Sequence, residues 1–256
     1  MAHKIMISIQ KGGCGKTTTT AILAEILAAS GYNVLVLDLD SQGNATQMLT
    51  QRNIYEFSGQ TVLEAIKEEE PEKYIVEVKE NLHILPAEDM LVTFSRYIYT
   101  KGFNKPLEVL KNSMESIENS YDFILMDCPP NLGDTVLNAT VYADYYLIPV
   151  QCEAFGLDAL DRFIQFMRDA KEEGHTNVEL LGIVFTMRDN RTVSEKVISD
   201  SIRRNYGESV FQTEIRRRAK IKDFSLLGTT MEKKSDINAL EEYMNLTEEV
   251  IKRVAK

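Results

Sequence analysis

Short apolar runs alternate along the chain with longer stretches in which apolar residues recur at helical spacing. The apolar runs lie at residues 4–9, 34–40, 82–85, 123–127, 145–150, 180–185 and 210–215. Each is too short for a buried helix and is predicted to form a β-strand, whereas residues 17–29 follow a helical pattern. This alternation predicts an α/β fold, with a doubly wound, mostly parallel sheet that carries helices on both faces.

The last helical pattern, at residues 237–254, predicts an amphipathic helix that docks onto the core. Its apolar face comprises Leu240, Tyr243, Met244, Thr247, Val250, Ile251 and Val254. Its polar face is acidic, with Glu241, Glu242, Glu248 and Glu249, whereas a helix that lies on a membrane usually has a basic polar face. We therefore expect no membrane contact.

Composition narrows the class of protein. The 256 residues are 44% hydrophobic and 27% charged, and no linker-like stretch divides them, so residues 1–256 are expected to form a single domain. The three cysteines, Cys14, Cys128 and Cys152, are too scattered for a disulfide framework or a metal-ligand pattern. No apolar stretch approaches the length of a membrane span, and the start of the chain does not resemble a secretory signal. A cytoplasmic protein is expected.

The net charge of −10 argues at first against a nucleic-acid partner, because phosphates repel carboxylates. Residues 188–222, which we call the basic segment, are an exception. They hold ten Lys or Arg against five Asp or Glu, a local net charge of +5. Positive charge is thus concentrated in one part of an acidic chain.

Residues 11–17, KGGCGKT, lie between the first predicted strand and the first predicted helix, where a phosphate-binding loop is expected. Glycines let backbone N–H groups turn inward, and the helix N-terminus adds partial positive charge. Lys16 can reach the terminal phosphates, and the Thr17 hydroxyl can bind Mg²⁺. The predicted nucleotide-binding residues are Lys11, Gly12, Gly13, Cys14, Gly15, Lys16, Thr17 and Thr18.

Two positions depart from the ordinary phosphate-loop motif, since Gln10 stands where its first glycine would be and Lys11 adds a second cation. This spacing resembles the deviant Walker A motif of the ParA/MinD ATPases, which have a P-loop NTPase fold. The resemblance implies a homodimer that sandwiches ATP, in which Lys11 reaches the nucleotide of the facing subunit and acts in catalysis. A solvated lysine at the start of a loop is the simpler alternative.

Three further segments carry the resemblance. Residues 38–46, DLDSQGNAT, are close to a segment of the ParA-type, or Soj-like, DNA-partition ATPases, in which Asp40 would orient the attacking water or hold it through Mg²⁺. Asp38 is expected to brace this loop. Residues 123–130, FILMDCPP, resemble the family's Walker B segment, so Asp127 would contact Mg²⁺ through its water shell. In residues 149–153, PVQCE, Glu153 lies either near the nucleotide at the dimer interface or simply at a helix N-terminus.

The resemblance extends through residues 182–191 and so covers nearly the whole chain. The family commonly has Pro-Arg-Asn after the strand that ends at Ile215, with contacts to the nucleotide base. This chain has three arginines there, so its base contacts stay unassigned. The predicted DNA-binding residues are Arg191, Arg216, Arg217, Arg218, Lys220 and Lys222. The alternative is a surface partly neutralised by Asp200, Glu208, Glu214 and Asp223.

The family resemblance implies an ATPase that requires ATP and Mg²⁺, binds double-stranded DNA non-specifically as a homodimer on the nucleoid, and responds to a ParB-like partner. The cargo could be a plasmid or a chromosome. The phosphate loop begins at Lys11, so we expect no N-terminal helix-turn-helix domain. Two alternatives are a MinD-like positioning ATPase on the membrane and an electron-transfer protein similar to the nitrogenase iron protein.

Overall fold

The computed structural model describes residues 1–189, 192–229 and 233–255. Within them, eight strands form one sheet, in the order β3-β4-β2-β5-β1-β6-β7-β8 once they are numbered along the chain. The strands are β1 (His3–Ile7), β2 (Val34–Asp38), β3 (Val76–Lys79), β4 (Leu82–Leu85), β5 (Phe123–Asp127), β6 (Tyr145–Val150), β7 (Glu179–Arg188) and β8 (Val210–Arg216).

Helices connect the strands and cover both faces of the sheet. They are α1 (Lys16–Ala29), α2 (Asn44–Thr50), α3 (Val62–Glu68), α4 (Phe94–Lys101), α5 (Val109–Met114), α6 (Asp134–Tyr142), α7 (Ala154–Glu172), α8 (Val193–Tyr206), α9 (Ala219–Leu227) and α10 (Lys234–Val254). Short 3-10 turns complete the connections. The described part of the chain contains no helix that is both long and apolar enough to cross a membrane.

The doubly wound, mostly parallel sheet predicted from the sequence is confirmed. Every neighbouring pair of strands is parallel except β3 and β4, which form an antiparallel hairpin at one edge. β3 was not predicted from the sequence, because Glu77 and Lys79 interrupt its apolar residues and leave no continuous run. Its outward-facing charges are typical of an edge strand, whereas β2 and β5 are buried along their whole length.

The sheet register brings the predicted site residues together at the carboxyl ends of the strands. In the central strands, Ile7 of β1 lies opposite Asp127 of β5, and Asp127 lies opposite Asp38 of β2. Because these strands are parallel, the loops that follow them all leave from their carboxyl ends. Open α/β sheets bind their ligands at the carboxyl ends of the strands.

Helix α10 packs along β8, and its apolar face is buried as predicted, with Leu240, Tyr243 and Val250 fully covered. Two glutamates of its polar face turn toward the strand instead of toward solvent. The Glu249 carboxylate accepts hydrogen bonds from the backbone N–H groups of Gln212 and Thr213, at 3.0 and 2.8 Å. The helix is therefore held to the sheet by polar as well as apolar contacts.

Candidate nucleotide-binding site

The phosphate loop connects β1 to α1, and two of its glycines adopt left-handed backbone conformations. Gly13 has φ +72° and Gly15, the residue before α1, has φ +86°. An L-residue with a side chain rarely adopts these angles, whereas glycine does so at no steric cost. Such conformations turn successive N–H groups of a loop toward one point and so form an anion-binding concavity at the helix N-terminus.

The two lysines of the loop have different surroundings. Lys16 is buried, and its Nζ donates a hydrogen bond to the Lys11 carbonyl oxygen at 2.9 Å, so its ammonium lies within the loop. The Lys11 side chain leaves the loop, and its Nζ lies 3.1 Å from Glu153 Oε2. One cation is therefore inside the concavity and the other outside it.

Glu153 is the N-cap residue of α7, but its side chain accepts no hydrogen bond from that helix. The carboxylate instead forms the ion pair with Lys11, and about half of its side chain is exposed, 54%. Of the two placements left open for Glu153, the structure thus shows a helix N-terminal residue whose side chain also reaches the phosphate loop.

Asp127 lies buried at the end of β5 and contacts the first turns of α1. Its Oδ1 accepts a hydrogen bond from the Thr20 hydroxyl at 3.3 Å, and no described residue donates one to Oδ2. Burial raises the pKa of this carboxyl well above its usual range, and the nearby Asp38 raises it further, while the Thr17 hydroxyl and Lys16 oppose the shift. A buried carboxylate oxygen without a donor is suited to a cation or to the water shell of one.

Both carboxylate oxygens of Asp38 accept hydrogen bonds from the segment that follows β2. Its carboxylate accepts hydrogen bonds from the backbone N–H and the hydroxyl of Thr46, at 2.8 and 2.7 Å, and from the N–H of Asp40 at 3.2 Å. Burial raises the pKa of Asp38 to about 6, although these hydrogen bonds act against the shift. The contacts fit the bracing role predicted for this residue.

Asp40 lies two residues further on and is half-buried, and its Oδ1 accepts a hydrogen bond from the Gln42 N–H at 3.1 Å. It lines a hollow of about 370 Å³ together with Pro129, Pro130 and Asp134, at the same edge of the sheet as the phosphate loop. Asp40 thus has a carboxylate available to a ligand, whereas Asp38 does not.

No group of three or more His, Cys, Asp and Glu side chains within the described residues could hold a metal ion alone. A Mg²⁺ ion at this site would therefore need phosphate oxygens and waters in addition to protein ligands, which is how Mg²⁺ usually binds beside nucleotides. The Thr17 hydroxyl, the unpaired Oδ2 of Asp127 and the carboxylate of Asp40 fit that requirement.

A second cavity, of about 500 Å³, opens beside the loop at Gly15 and Thr18. Its other lining residues include Met187, Ile215, Ile221, Tyr243 and the arginine run of the basic segment, Arg216, Arg217 and Arg218. The structure thus places this arginine run next to the phosphate loop, with both apolar and cationic groups at the cavity wall. A nucleotide bound in the loop would have room for its base here.

The charges of the arginine run are partly neutralised by α10. Glu242 accepts hydrogen bonds from Arg218 Nη2 and from the backbone N–H of Arg216, each at 2.8 Å, and lies 3.7 Å from Arg216 Nε. Lys220 pairs with the buried Asp236 at 3.0 Å.

The remaining predicted DNA-binding residues differ from these. Arg217 and Lys222 are exposed, and neither side chain forms an ion pair with a described residue. Arg191, also predicted to bind DNA, lies outside the described residues.

Elsewhere in the basic segment, Arg188 and Arg203 form ion pairs with carboxylates. Arg188 is almost completely buried and contacts Glu195 at 2.9 Å and Glu214 at 3.0 Å. Glu214 also pairs with Arg203 at 3.0 Å. Of the four carboxylates considered as neutralising partners, Glu214 therefore has this role, and the arginines that it holds belong to the fold rather than to a free surface.

Three residues that contact the loop from the ends of β6 and β7 were not predicted as site residues from the sequence. Gln151 follows β6, and Thr186 and Met187 lie near the end of β7. The available signal was their position at the carboxyl ends of parallel strands, the end of the sheet that the phosphate loop also occupies.

Comparisons with known proteins identify the family. The family described as "AAA domain" matches residues 2–180. The chain is 32% identical to the chromosome-partitioning ATPase Soj of Thermus thermophilus, over 98% of this chain and 96% of that protein. It is also 32% identical to the chromosome partitioning protein ParA of Myxococcus xanthus, over 97% of this chain and 88% of that protein.

Among solved structures, cobyrinic acid a,c-diamide synthase from Mycobacterium smegmatis, with a bound ATP analogue and magnesium, has the same fold. Its TM-score is 0.85 at 24% identity, and the match covers 100% of this chain and 97% of that one. The sequence matches are more specific, because their identity is higher, at 32%, over nearly the whole chain. The chain therefore belongs to the Soj/ParA family of chromosome-partitioning ATPases.

Proposed function

We propose that this protein is a DNA-partition ATPase that forms a homodimer around ATP and Mg²⁺. In this proposal the dimer binds double-stranded DNA non-specifically, and hydrolysis stimulated by a ParB-like partner releases it. The observation that carries the proposal is the divergence of the two lysines. Lys16 lies within its own phosphate loop, and Lys11 points away from it toward Glu153.

The phosphates of ATP would bind to the N–H groups of the loop, to the α1 N-terminus and to Lys16. Mg²⁺, when bound, neutralises charge on the phosphates and so lowers the barrier to phosphoryl transfer. Thr17 and Asp127 would hold it, with the hydroxyl facing the phosphates and the buried carboxylate facing the water shell. The buried setting of Asp127 strengthens its attraction for a cation, because little solvent screens it.

Asp40 would orient the water that attacks the terminal phosphate. Phosphoryl transfer depends mainly on positioning and on charge stabilisation, so one carboxylate at the correct place is sufficient to orient the nucleophile. Asp40 suits this role better than Asp38, whose oxygens are already occupied by Thr46 and by the Asp40 N–H.

Lys11 would bind the nucleotide of the facing subunit. In one protomer its ammonium is held by Glu153, and both side chains are partly exposed, 20% and 54%. An exposed ion pair contributes little free energy, so exchange of this partner for a polyphosphate would be favourable.

DNA would bind to the cations of the basic segment that have no carboxylate partner, chiefly Arg217 and Lys222. Such side chains can neutralise phosphates without reading sequence. Dimerisation would bring two of these surfaces onto one particle and raise affinity through avidity. DNA affinity would then depend on ATP.

The alternatives have less support. α10 buries its apolar face against the core and uses Glu242 and Glu249 to bond β8, so it offers no basic amphipathic surface to a membrane. Cys128 and Cys152 are both buried, which does not suit a metal cluster shared between subunits. Pelleting with anionic liposomes in ATP would support a MinD-like activity, and a coloured purified protein would support an iron cluster.

The test combines light scattering and DNA binding. We expect a monomer without nucleotide, a dimer in ATP with Mg²⁺, and DNA binding only in the second condition, equally for random and specific duplexes. Affinity should fall steeply as salt is raised, because each neutralised phosphate releases counterions. Strong DNA binding by the nucleotide-free monomer, or discrimination among sequences at physiological salt, would contradict the proposed switch.

A further inference from the structure

Two side chains, one just after β6 and one in β7, form hydrogen bonds to consecutive carbonyl groups of the phosphate loop. The Nε2 of Gln151, just after β6, donates to the Gly13 carbonyl oxygen at 3.0 Å. The hydroxyl of Thr186, in β7, donates to the Cys14 carbonyl oxygen at 2.8 Å. Neither residue has a role in the function described above.

The direction of these two carbonyl groups determines the direction of two N–H groups. In a planar trans peptide, the C=O of one residue and the N–H of the next point to opposite sides. The bond from Gln151 to Gly13 therefore directs the Cys14 N–H away from Gln151, and the bond from Thr186 to Cys14 directs the Gly15 N–H away from β7. Both N–H groups therefore point away from Gln151 and Thr186, as is required of N–H groups that bind an anion within the loop.

The residues that support the loop, at the ends of β6 and β7, have little conformational freedom themselves. Thr186 is 2% exposed, and the next residue, Met187, has φ +52°, a left-handed conformation that is costly for a residue with a side chain. The Met187 Sδ also accepts a hydrogen bond from the Gln151 amide at 2.8 Å. A strained conformation persists only where its surroundings hold it, so Gln151, Thr186 and Met187 form one braced unit.

We propose that Thr186 and Gln151 are positioning residues for nucleotide binding, which preorganise the phosphate loop by holding its Gly13 and Cys14 carbonyl groups outward. The inference rests on the proposed nucleotide-binding role of the loop. Without these bonds, the two peptide units would rotate more freely, and binding would have to order them. Preorganisation of this kind raises affinity chiefly by reducing the cost of that ordering.

The test compares Thr186→Val, which removes the hydroxyl at nearly constant shape, with Thr186→Ser, which keeps it. Dissociation constants are measured with a fluorescent ATP analogue and Mg²⁺, alongside steady-state hydrolysis and thermal melting. We expect Thr186→Val to weaken binding and raise KM about 3- to 10-fold, as loss of one hydrogen bond would, while kcat changes less than about 2-fold. Thr186→Ser should restore the wild-type constants.

Gln151→Leu provides an independent variant, because Gln151 is half-buried and its replacement should not disturb the core. It should also weaken ATP binding about 3-fold or more, since its amide donates to the loop carbonyl. Gln151→Leu therefore tests the inference even if Thr186→Val fails to fold.

Three results would overturn the inference. They are unchanged ATP affinity in the folded variants, a lower melting temperature as the sole effect of Thr186→Val, and a failure of Thr186→Ser to rescue binding. A wild-type protein that does not bind the ATP analogue would instead contradict the proposed function.

Discussion

The phosphate loop and the basic segment are both cationic features of this chain, but their charges are arranged differently. In the loop, Lys16 and Lys11 occupy separate positions, one inside the concavity and one outside, and each has one identified partner. In the basic segment, a local net charge of +5 is reduced by carboxylates from other elements, including Glu242 of α10.

The difference shows which contacts can be predicted from the sequence and which require the structure. The glycines, the backbone and Lys16 of the loop lie within residues 11–17, and α1 follows directly, so a short motif conveys them. The partner of Lys11, Glu153, lies 142 residues away and is not part of that motif. The partners of the basic segment lie up to 26 residues away along the chain, as for Arg216 and Glu242. A count of charges along the sequence does not distinguish a free cation from one that is already paired.

The largest effect should come from the two lysines of the loop. Lys16→Ala should weaken ATP binding about 1000-fold, because the variant loses the buried cation that is proposed to bind the phosphates. Lys11→Ala should leave the affinity of the monomer within about 3-fold of wild type, since an exposed ion pair contributes little, yet should abolish ATP-dependent dimerisation and hydrolysis. Titration and light scattering would measure both properties. Equal losses of affinity in the two variants would contradict a role for Lys11 across the dimer.

Asp40→Ala should reduce the hydrolysis rate about 100-fold while ATP binding persists, because the attacking water loses its orienting carboxylate. The variant should accumulate as an ATP-bound dimer that retains DNA. Asp40→Asn is the matched control, since it keeps the acceptor for the Gln42 N–H and removes only the charge. If phosphate release by either variant matches wild type, Asp40 does not take part in hydrolysis.

The basic segment can be divided by two double substitutions that each remove two positive charges. Replacing Arg217 and Lys222 with Ala should weaken DNA binding about 10-fold and reduce the salt dependence by nearly two counterions. The same replacement of Arg216 and Arg218 should have less than half that effect on DNA binding, because Glu242 already holds both residues. Fluorescence anisotropy at several salt concentrations would measure the difference.

A different outcome would reassign the arginine run. If removal of Arg217 lowers ATP affinity while DNA binding at saturating ATP is unchanged, the side chain serves the nucleotide base. The position of the run at the cavity beside Gly15 makes this outcome measurable with the same ATP titration.

The smallest effect is expected from Glu242→Gln, which would release Arg216 and Arg218 from their carboxylate partner. DNA affinity in ATP should increase about 2- to 3-fold at low salt, because two guanidinium groups become available to phosphates. Glu241→Gln is the control, since it removes the same charge from an exposed neighbour. An equal increase in both variants would show a general charge effect instead of the release of a specific pair.

Much of the fold could be predicted from the sequence, because strands buried on both faces are continuously apolar. β2 and β5 illustrate this, since β5 ends at Asp127 as predicted and β2 ends at Asp38, two residues before its predicted end at Asp40. β3 could not be predicted in this way, because an exposed edge strand requires no apolar run. β7 continues to Arg188, beyond its predicted end at residue 185, since ion pairs with Glu195 and Glu214 allow an arginine to be buried.

The part of the candidate site that could be predicted is the part that consists of consecutive residues of a motif, as in the phosphate loop. Gln151 and Thr186 lie within segments that the family resemblance covers, yet their contacts could not be predicted. Each donates to a backbone carbonyl group, and a bond of that kind places no requirement on the identity of the acceptor residue. Such partners become identifiable only when the register of β1, β6 and β7 is known.

The carboxylates that α10 places along β8 also limit how copies of this chain can assemble. An open edge strand is a template on which another chain can add a strand by backbone pairing. Here the N–H groups of Gln212, Thr213 and Arg216 are already bonded to Glu249 and Glu242, so strand addition at this edge would have to displace a helix. The opposite edge is β3, which is four residues long and carries charged side chains. Strand addition is therefore disfavoured at both edges, and we expect contacts between copies of this chain to use side-chain surfaces instead of an extended sheet.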